Sequence, residues 1–292
     1  MSDTISSDFE MPQAEQQKQF LFSQMHATYH AASMGQDLPR LSLGDSGLNT
    51  ALGGGVLCRR VHLVTSQMLS CANAAFSLAL VAMMLRSGAS QGPIIWCGPR
   101  RSGSAGGVFG AGLSALGLSP SQFIFVRESH PLRRMAACEE ALVTPGLSAV
   151  IHEYGPLHEK TALWQKSARR LQLACERGTA TAFLIGTAGG ASGFETAWDI
   201  HPSRYRSHEI GDWRPMWQAR LRHARGGYPA AADVIWDQQS ASFQTIAQTK
   251  TKAHQPDWSA TPYAKQPFAP SPRQVSSRQA SSRQAGLWPQ SA

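Results

Sequence analysis

The sequence lacks the residue patterns on which common enzyme classes depend. Its G-x-S-x-G match at 88–92 lies between a predicted helix and a predicted strand, whereas a nucleophile elbow joins a strand to a helix. It has no H-E-x-x-H pair, and its acids are few, with 19 Asp and Glu against 27 Lys and Arg. The five cysteines are widely spaced and never form a C-x-x-C pair, which argues against a zinc site and a disulfide framework. We therefore expect small buried thiols, no metal and no catalytic triad.

Long hydrophobic runs are also missing. The apolar stretch at 74–85 is too short to span a bilayer, because a spanning helix needs about 20 apolar residues. The first residues carry acids and no apolar core, so they do not resemble a signal peptide. A reduced, cytoplasmic protein is the expectation.

The positive charge is concentrated near the end of the chain. Residues 247–292 hold six basic residues and one acid, which accounts for most of the formal charge of +8. This segment is rich in Ser, Gln, Pro and Arg and repeats the pentad SSRQA, a composition typical of disorder. The predicted organisation is a disordered N-terminal segment plus a helix at 1–38, a core domain at 39–246, and a disordered basic tail at 247–292.

Strands and helices alternate through most of the core. Predicted strands at 60–64, 93–97, 122–126, 149–152 and 181–185 are separated by predicted helices at 72–85, 106–116, 132–143 and 161–177. Such alternation predicts an α/β, three-layer fold around a central, mostly parallel sheet. After a glycine-rich loop at 186–193, the segments 194–200, 217–223 and 234–237 have no helices between them, so they are predicted to be antiparallel edge strands.

The stretch 61–80 reads as a strand, a turn and an apolar helix, which is where a nucleotide-binding α/β protein places its phosphate loop. A working loop needs glycines and a Lys-Ser/Thr pair, and this turn has neither. No carboxylate follows the strand at 93–97, and the strand at 149–152 is followed by Glu153 alone, which we interpret as structural. ATP hydrolysis is therefore not expected, and neither is a bound cofactor.

Two basic clusters stand out. The first, Lys166, Arg169 and Arg170, lies within one turn of a predicted helix and is either a solvated face or a contact for a partner or DNA. The second combines arginines with aromatic residues, a composition that suits a nucleic-acid backbone with stacked bases and also a protein interface. Its site residues are Arg204, Arg206, Trp213, Arg214, Arg220, Arg222 and Arg225.

Four segments in order resemble the ImuA family: LSLGDSGLNTALGGG, GAGLSALGLSPSQFIFV followed by CEEAL, SARRLQLACERG, and RPMWQARLRHARGG. The resemblance covers about 39–237 and implies a RecA-like fold with a degenerate Walker A motif. Carried over, the phosphate-loop positions fall on Thr65, Ser70, Cys71 and Ala72, and the magnesium acid falls near Glu153. The loop at 186–193 lies where RecA has a DNA-contacting loop.

The family resemblance also implies a function. ImuA proteins are accessories of bacterial SOS mutagenesis, a DNA-damage response based on error-prone translesion synthesis. The implied partners are an ImuB-like, polymerase-like protein, an error-prone C-family DNA polymerase and, as a further candidate, RecA. Two alternatives stay open: a DNA-dependent ATPase or recombinase with a divergent nucleotide site, and a damage-induced cell-division inhibitor.

One short motif in the tail resembles the pentapeptide that binds bacterial sliding clamps. Its residues are Gln284, Leu287 and Trp288, in which an amide is followed by spaced aliphatic and aromatic side chains. An extended segment with such a pair could fill an apolar pocket. The sliding clamp is therefore a further candidate partner.

Overall fold

A computed structural model describes residues 38–66, 70–100, 108–154, 161–187, 189–203 and 214–246. The predicted N-terminal helix and the C-terminal tail lie outside the described residues, and their predictions stay predictions.

The first part of the described chain follows the predicted alternation of strands and helices. A parallel strand covered by helices on both faces has to be apolar along its length, and every residue of the third strand, VHLVT, is buried. The elements, in order, are β1 (Arg40–Leu41), α1 (Ser46–Ala51), β2 (Val56–Leu57), β3 (Val61–Thr65), α2 (Ala72–Arg86), β4 (Ile94–Gly98), α3 (Gly110–Ala115), a 3₁₀ turn (Pro120–Gln122), β5 (Phe123–Arg127), α4 (Pro131–Val143), β6 (Ala149–Glu153), α5 (Thr161–Arg177) and β7 (Thr181–Gly186).

The second part, as far as the structure describes it, contains strands and no helices. It consists of β8 (Thr196–Pro202), β9 (Met216–Ala224), β10 (Ala230–Asp237) and β11 (Ser242–Thr245). Along β9, Trp217, Ala219 and Leu221 are buried while Arg220 and Arg222 are exposed. This is the period-two pattern that the sequence predicted for a half-covered strand.

Nine strands of the described chain form one sheet in the order β11-β10-β9-β8-β3-β7-β6-β4-β5. The α/β class, with a mostly parallel sheet and antiparallel strands toward the C-terminal side, is confirmed. One strand differs from the prediction: β8 was expected to be antiparallel, but it pairs parallel to β3 and antiparallel to β9. Because the sequence predicted no helix after β8, it predicted that β9 runs antiparallel to β8. It contained no information on the direction in which β8 pairs with β3.

Short elements were missed. The sequence analysis did not predict the ribbon of β1 and β2, helix α1, or strand β11. Helix α1 begins after Asp45, whose side chain accepts a hydrogen bond from the Leu48 amide. The triple glycine at 53–55 forms a turn between α1 and β2, and all three glycines have positive φ.

Two hydrophobic cores cover the sheet. The larger contains α2 with an aromatic group from Phe76, Trp198, Trp217 and Phe243, and the smaller lies beneath α4 and α5. Helix α2 is apolar almost all round, as befits a helix buried within the domain. Four of the five cysteines are buried, in agreement with the expectation of small buried thiols. None of the described helices has the length and apolar character needed to cross a membrane.

Candidate functional site

The carboxyl ends of β3, β7, β6 and β4 lie side by side, since these strands are parallel neighbours. In open α/β sheets this edge is where ligands bind. It is formed here by Thr65, Gly186, Glu153 and Gly98, the last residues of the four strands. The positions that the family resemblance assigned to nucleotide chemistry therefore do meet at one end of the sheet.

The side chain of Thr65 is engaged inside the fold. Its hydroxyl donates to the Trp198 carbonyl at 2.7 Å, which ties β3 to β8. The next amide, from Ser66, donates to the Gly186 carbonyl at 3.1 Å, and the Asn73 side-chain amide donates to the same carbonyl at 2.9 Å. The chain at the end of β3 is thus bound to both neighbouring strands.

Two amides in the first turn of α2 donate to nearby side chains, although the N-cap residue Cys71 makes no side-chain capping bond. The Ala72 amide donates to Ser70 Oγ at 3.1 Å, and the Ala74 amide donates to Asn73 Oδ1 at 2.8 Å. Phosphate loops use amides of this kind as donors to the ligand. Cys71, at the position of the loop lysine, has an exposed side chain without the fixed positive charge that a phosphate requires.

Glu153 is held through its carboxylate by a neighbouring strand and through its backbone carbonyl by a helix. The Trp96 indole N–H donates to Glu153 Oε1 at 2.5 Å, and Arg134 Nε donates to the Glu153 backbone carbonyl at 2.9 Å. Partial burial raises the pKa of the Glu153 carboxyl, and the Trp96 hydrogen bond and the Arg134 charge oppose this rise. The structure therefore supports the structural interpretation of Glu153.

Arg134 binds several groups in this part of the site from the buried face of the amphipathic helix α4. Its side chain is only 3% exposed, and Nη1 donates to the Glu128 carbonyl at 2.7 Å. A buried guanidinium is stable only when its donors are used, and here they bind backbone carbonyls beside a carboxylate. Arg134 joins the ends of β5 and β6.

The glycine-rich loop after β7 lies against aromatic rings. Tyr154 and Trp164 have ring centroids 4.8 Å apart, and the Trp164 indole donates to the Gly190 carbonyl at 2.9 Å. A Cβ on Gly189 would lie 2.8 Å from the Trp164 ring, so this close approach requires glycine. The glycines thus let the loop pack against the two rings, which larger side chains in the loop would prevent.

Arg222 connects this loop to the end of β3. Its Nη2 donates to the Gly189 carbonyl at 3.3 Å and to Thr65 Oγ1 at 3.4 Å. Of the residues predicted from sequence, the structure thus brings together Thr65 from the phosphate-loop position and Arg222 from the basic cluster. This contact was not predicted, because the two residues are 157 positions apart.

The other predicted basic residues are spread over separate surfaces. Arg220 projects from the same face of β9 as Arg222, whereas Arg225 lies 3.9 Å from Glu195. On α5, Lys166, Arg169 and Arg170 are exposed, and Arg170 pairs with Glu139 of α4 at 2.5 Å. Within the described residues, the α5 group and the β9 group thus belong to separate elements of the fold.

Several predicted site residues lie outside the described residues, namely Arg204, Arg206, Trp213, Gln284, Leu287 and Trp288. Arg214 is described and is partly buried just before β9. In the part of the chain that the structure covers, no group of three or more His, Cys, Asp and Glu side chains is placed to hold a metal ion.

The sequence analysis missed Trp96, Arg134 and Trp164. Arg134 had a signal, because it precedes the buried Cys138 by four residues and therefore lies on the inward face of α4, unlike its neighbour Arg133. The roles of Trp96 and Trp164 depend on partners from other strands, which spacing alone does not reveal.

Comparison with known proteins agrees with the motifs. No family model matches the chain. The chain is 29% identical over 208 residues to Protein ImuA of Caulobacter vibrioides, both in strain NA1000 / CB15N and in strain ATCC 19089 / CIP 103742 / CB 15. The match covers 65% of this chain and 81% of the relative. This similarity supports the ImuA-family membership that the sequence motifs indicated.

Proposed function

We propose that this member of the ImuA family is a non-catalytic accessory protein of SOS-induced mutagenesis, in which error-prone polymerases copy damaged DNA. In this proposal the RecA-like core acts through protein contacts, and nucleotide hydrolysis has no part in its action. The similarity to Protein ImuA supports the damage-response setting.

The proposal that the protein is non-catalytic is supported by one observation: polar groups at the position of a nucleotide site are already hydrogen-bonded to other residues of the chain. The amides of Ala72 and Ala74 donate to side chains of the same turn, and Glu153 accepts from Trp96. A phosphate ligand would have to replace these bonds without the help of a loop lysine. Replacing existing bonds gains little free energy, because a net hydrogen bond contributes only about 1 kcal/mol.

The partners follow from the family. The proposed primary partner is an ImuB-like, polymerase-like protein, through which the chain would join an error-prone C-family DNA polymerase; RecA is a further candidate. The exposed arginines of α5 and β9 supply surfaces with the composition of interaction sites. Direct DNA contact is the competing use of these arginines, and a sliding clamp is the proposed partner of Gln284, Leu287 and Trp288.

Two measurements test the proposal. Calorimetric titration with Mg-ATP should give no binding at micromolar nucleotide, and Cys71→Lys alone should produce no ATPase activity, since Ser70, Thr65 and the missing second acid still prevent it. Micromolar affinity, or DNA-stimulated hydrolysis, would instead favour the ATPase or recombinase alternative.

The partner is tested separately. Co-expression with an ImuB-like protein should yield a complex that survives size-exclusion chromatography. If the chain purifies alone under these conditions and arrests cell division when it is overproduced, the result would contradict the proposal and favour the cell-division alternative.

A further inference from the structure

The two edges of the nine-stranded sheet are built differently. At the β11 edge the chain itself covers the strand: the Phe243 amide donates to the Leu43 carbonyl at 2.9 Å, and Thr245 donates to Asp45. A Cβ on Gly44 would lie 2.4 Å from the Phe243 carbonyl oxygen, so the covering segment passes very close to the strand. This edge is closed.

The opposite edge is β5, with the sequence FIFVR. Within the described residues it pairs with β4 alone, so the outward-facing amides and carbonyls of alternate residues have no strand beside them. Ile124 is 49% exposed and Phe125 is 38% exposed. Proteins usually protect such an edge with lysine, proline, a bulge or a covering segment, and β5 shows none of these among the described residues.

The exposed side chains of β5 are held in position. Phe123 and Phe125 stack with ring centroids 5.9 Å apart, and the Arg127 guanidinium lies 5.4 Å from the Phe125 ring centroid. One face of β5 therefore carries the buried ring of Phe123, the partly exposed ring of Phe125 and the exposed Arg127 guanidinium in a row. The other face carries Ile124 and Val126 in alternation.

The charge near this edge is positive. Arg100, Arg127 and Arg133 are exposed, and the nearest acid, Glu128, already accepts a hydrogen bond from the His130 amide at 2.7 Å. That bond and the two arginines Arg133 and Arg100 lower the pKa of Glu128, so it stays ionised. The Glu153 carboxyl also interacts with the Arg127 charge, but these two carboxyl groups do not balance the three exposed guanidinium groups. An incoming segment with acidic side chains would meet complementary charge.

We propose that the β5 edge binds an extended segment of a partner protein, in which acidic and apolar residues alternate, by adding it to the sheet as a tenth strand. The backbone of the segment would pair with the free edge of β5. Its apolar residues would lie beside Ile124 and Val126 on one face of the sheet, and its acids would lie beside Arg127 on the other face. The inference rests on the proposed function in that it assigns this surface to a partner of the accessory protein.

The first experiment uses defined probes with the full chain. A fluorescently labelled peptide in which Val alternates with Glu should bind, whereas the same peptide with Lys in place of Glu should bind on the order of tenfold more weakly or worse. A third peptide, the Val-Glu sequence methylated on alternate amide nitrogens, should not bind, since methylation removes the donors that strand pairing needs. Equal binding of all three peptides would overturn the proposal.

Variants locate the binding surface. Ile124→Thr keeps the branched side chain that favours a strand but removes apolar area, and Arg127→Gln removes the positive charge. Each variant should bind the Val-Glu peptide about tenfold more weakly than the wild type. Gln244→Thr, an exposed change on the β11 edge, is the matched control and should bind like the wild type. Circular dichroism melts of all three variants establish that the fold is retained, and unchanged affinity in both β5 variants would contradict strand addition there.

Two further outcomes separate this inference from the proposed function. If the ImuB-like protein co-purifies equally with the wild type and Ile124→Thr, and no peptide binds, the inference fails while the proposed function stands. If the peptides bind as expected but the wild type retains no ImuB-like protein, the edge is a binding site and the proposed partner is wrong. Self-association of the free chain that Ile124→Thr abolishes would show that a second copy occupies the edge and would overturn the proposal.

Discussion

The carboxyl end of the sheet and its β5 edge use their polar groups in opposite ways. At the carboxyl end, Thr65 and Glu153 are bonded to neighbouring strands of the same domain. At the β5 edge, backbone groups and the side chains of Ile124 and Phe125 face outward. The polar groups at the carboxyl end are thus bonded inside the domain, whereas β5 has no strand beside its outer edge among the described residues.

The largest effect should come from breaking the framework at Arg134. Replacement by Met leaves the Glu128 and Glu153 carbonyls without their donors and removes a charge partner of the Glu153 carboxylate. Loss of one member of a buried ionic group typically costs about 3–5 kcal/mol. We expect urea denaturation of Arg134→Met to show a decrease of this size in the free energy of unfolding.

The adjacent residue provides the matched control. Arg133 has the same side chain and lies on the same helix, but it is exposed. Arg133→Met should change the free energy of unfolding by no more than about 0.5 kcal/mol. Equal destabilisation by the two substitutions would show that helix α4 as a whole, and not the buried contacts of Arg134, accounts for the effect.

The next effect concerns His62, a fully buried residue whose polar groups are also used internally. Its Nε2 donates to the Leu57 carbonyl at 2.9 Å, and Nδ1 accepts from the Thr196 hydroxyl at 2.8 Å. Burial is the main cause that lowers the pKa of His62 from 6.5 to about 4. Between these values the unfolded chain binds a proton that the folded chain does not, so stability falls as pH falls from about 6.5 to about 4.

The size and sign of this loss can be measured. A shift from 6.5 to about 4 corresponds to roughly 3 kcal/mol of stability that is present above pH 6.5 and absent below pH 4. Glu153 acts with the opposite sign, because its raised pKa makes the folded state bind the extra proton. The free energy of unfolding, measured by denaturation at several pH values, should depend less steeply on pH in His62→Gln than in the wild type. An unchanged pH dependence would contradict the assignment of this effect to His62.

The sequence predicted the framework better than the contacts within it. The alternation of apolar strands and amphipathic helices identified α5 as Thr161–Arg177, in agreement with the structure, because hydrophobic periodicity is a local property. The lack of glycines and a lysine in the turn after β3 is equally a property of the local sequence. The bond from Trp96 to Glu153 depends on side chains that meet only in the folded chain, since the two residues are 57 positions apart.

A smaller effect is expected at the link between the carboxyl end and the glycine-rich loop. Arg222→Ala removes two long hydrogen bonds from a partly exposed side chain, so stability should fall by no more than about 1 kcal/mol. Amide hydrogen exchange at Gly189 and Gly190 should nevertheless become faster, because Arg222 no longer holds the loop to Thr65. Arg220→Ala, on the same strand face, should leave exchange in the loop unchanged.

The smallest effect on stability should follow a substitution at the open edge, and it sharpens the comparison most directly. Ile124 is half exposed on β5, whereas Ile94 is fully buried on the adjacent strand β4. Ile124→Lys should change the free energy of unfolding by no more than about 0.5 kcal/mol, while Ile94→Lys should prevent folding, since it buries an unpaired charge. If Ile124→Lys were as damaging as a core substitution, β5 would be part of the closed framework. Its exposed apolar side chains would then have to be explained by stability, and a binding role for this edge would lose its main support.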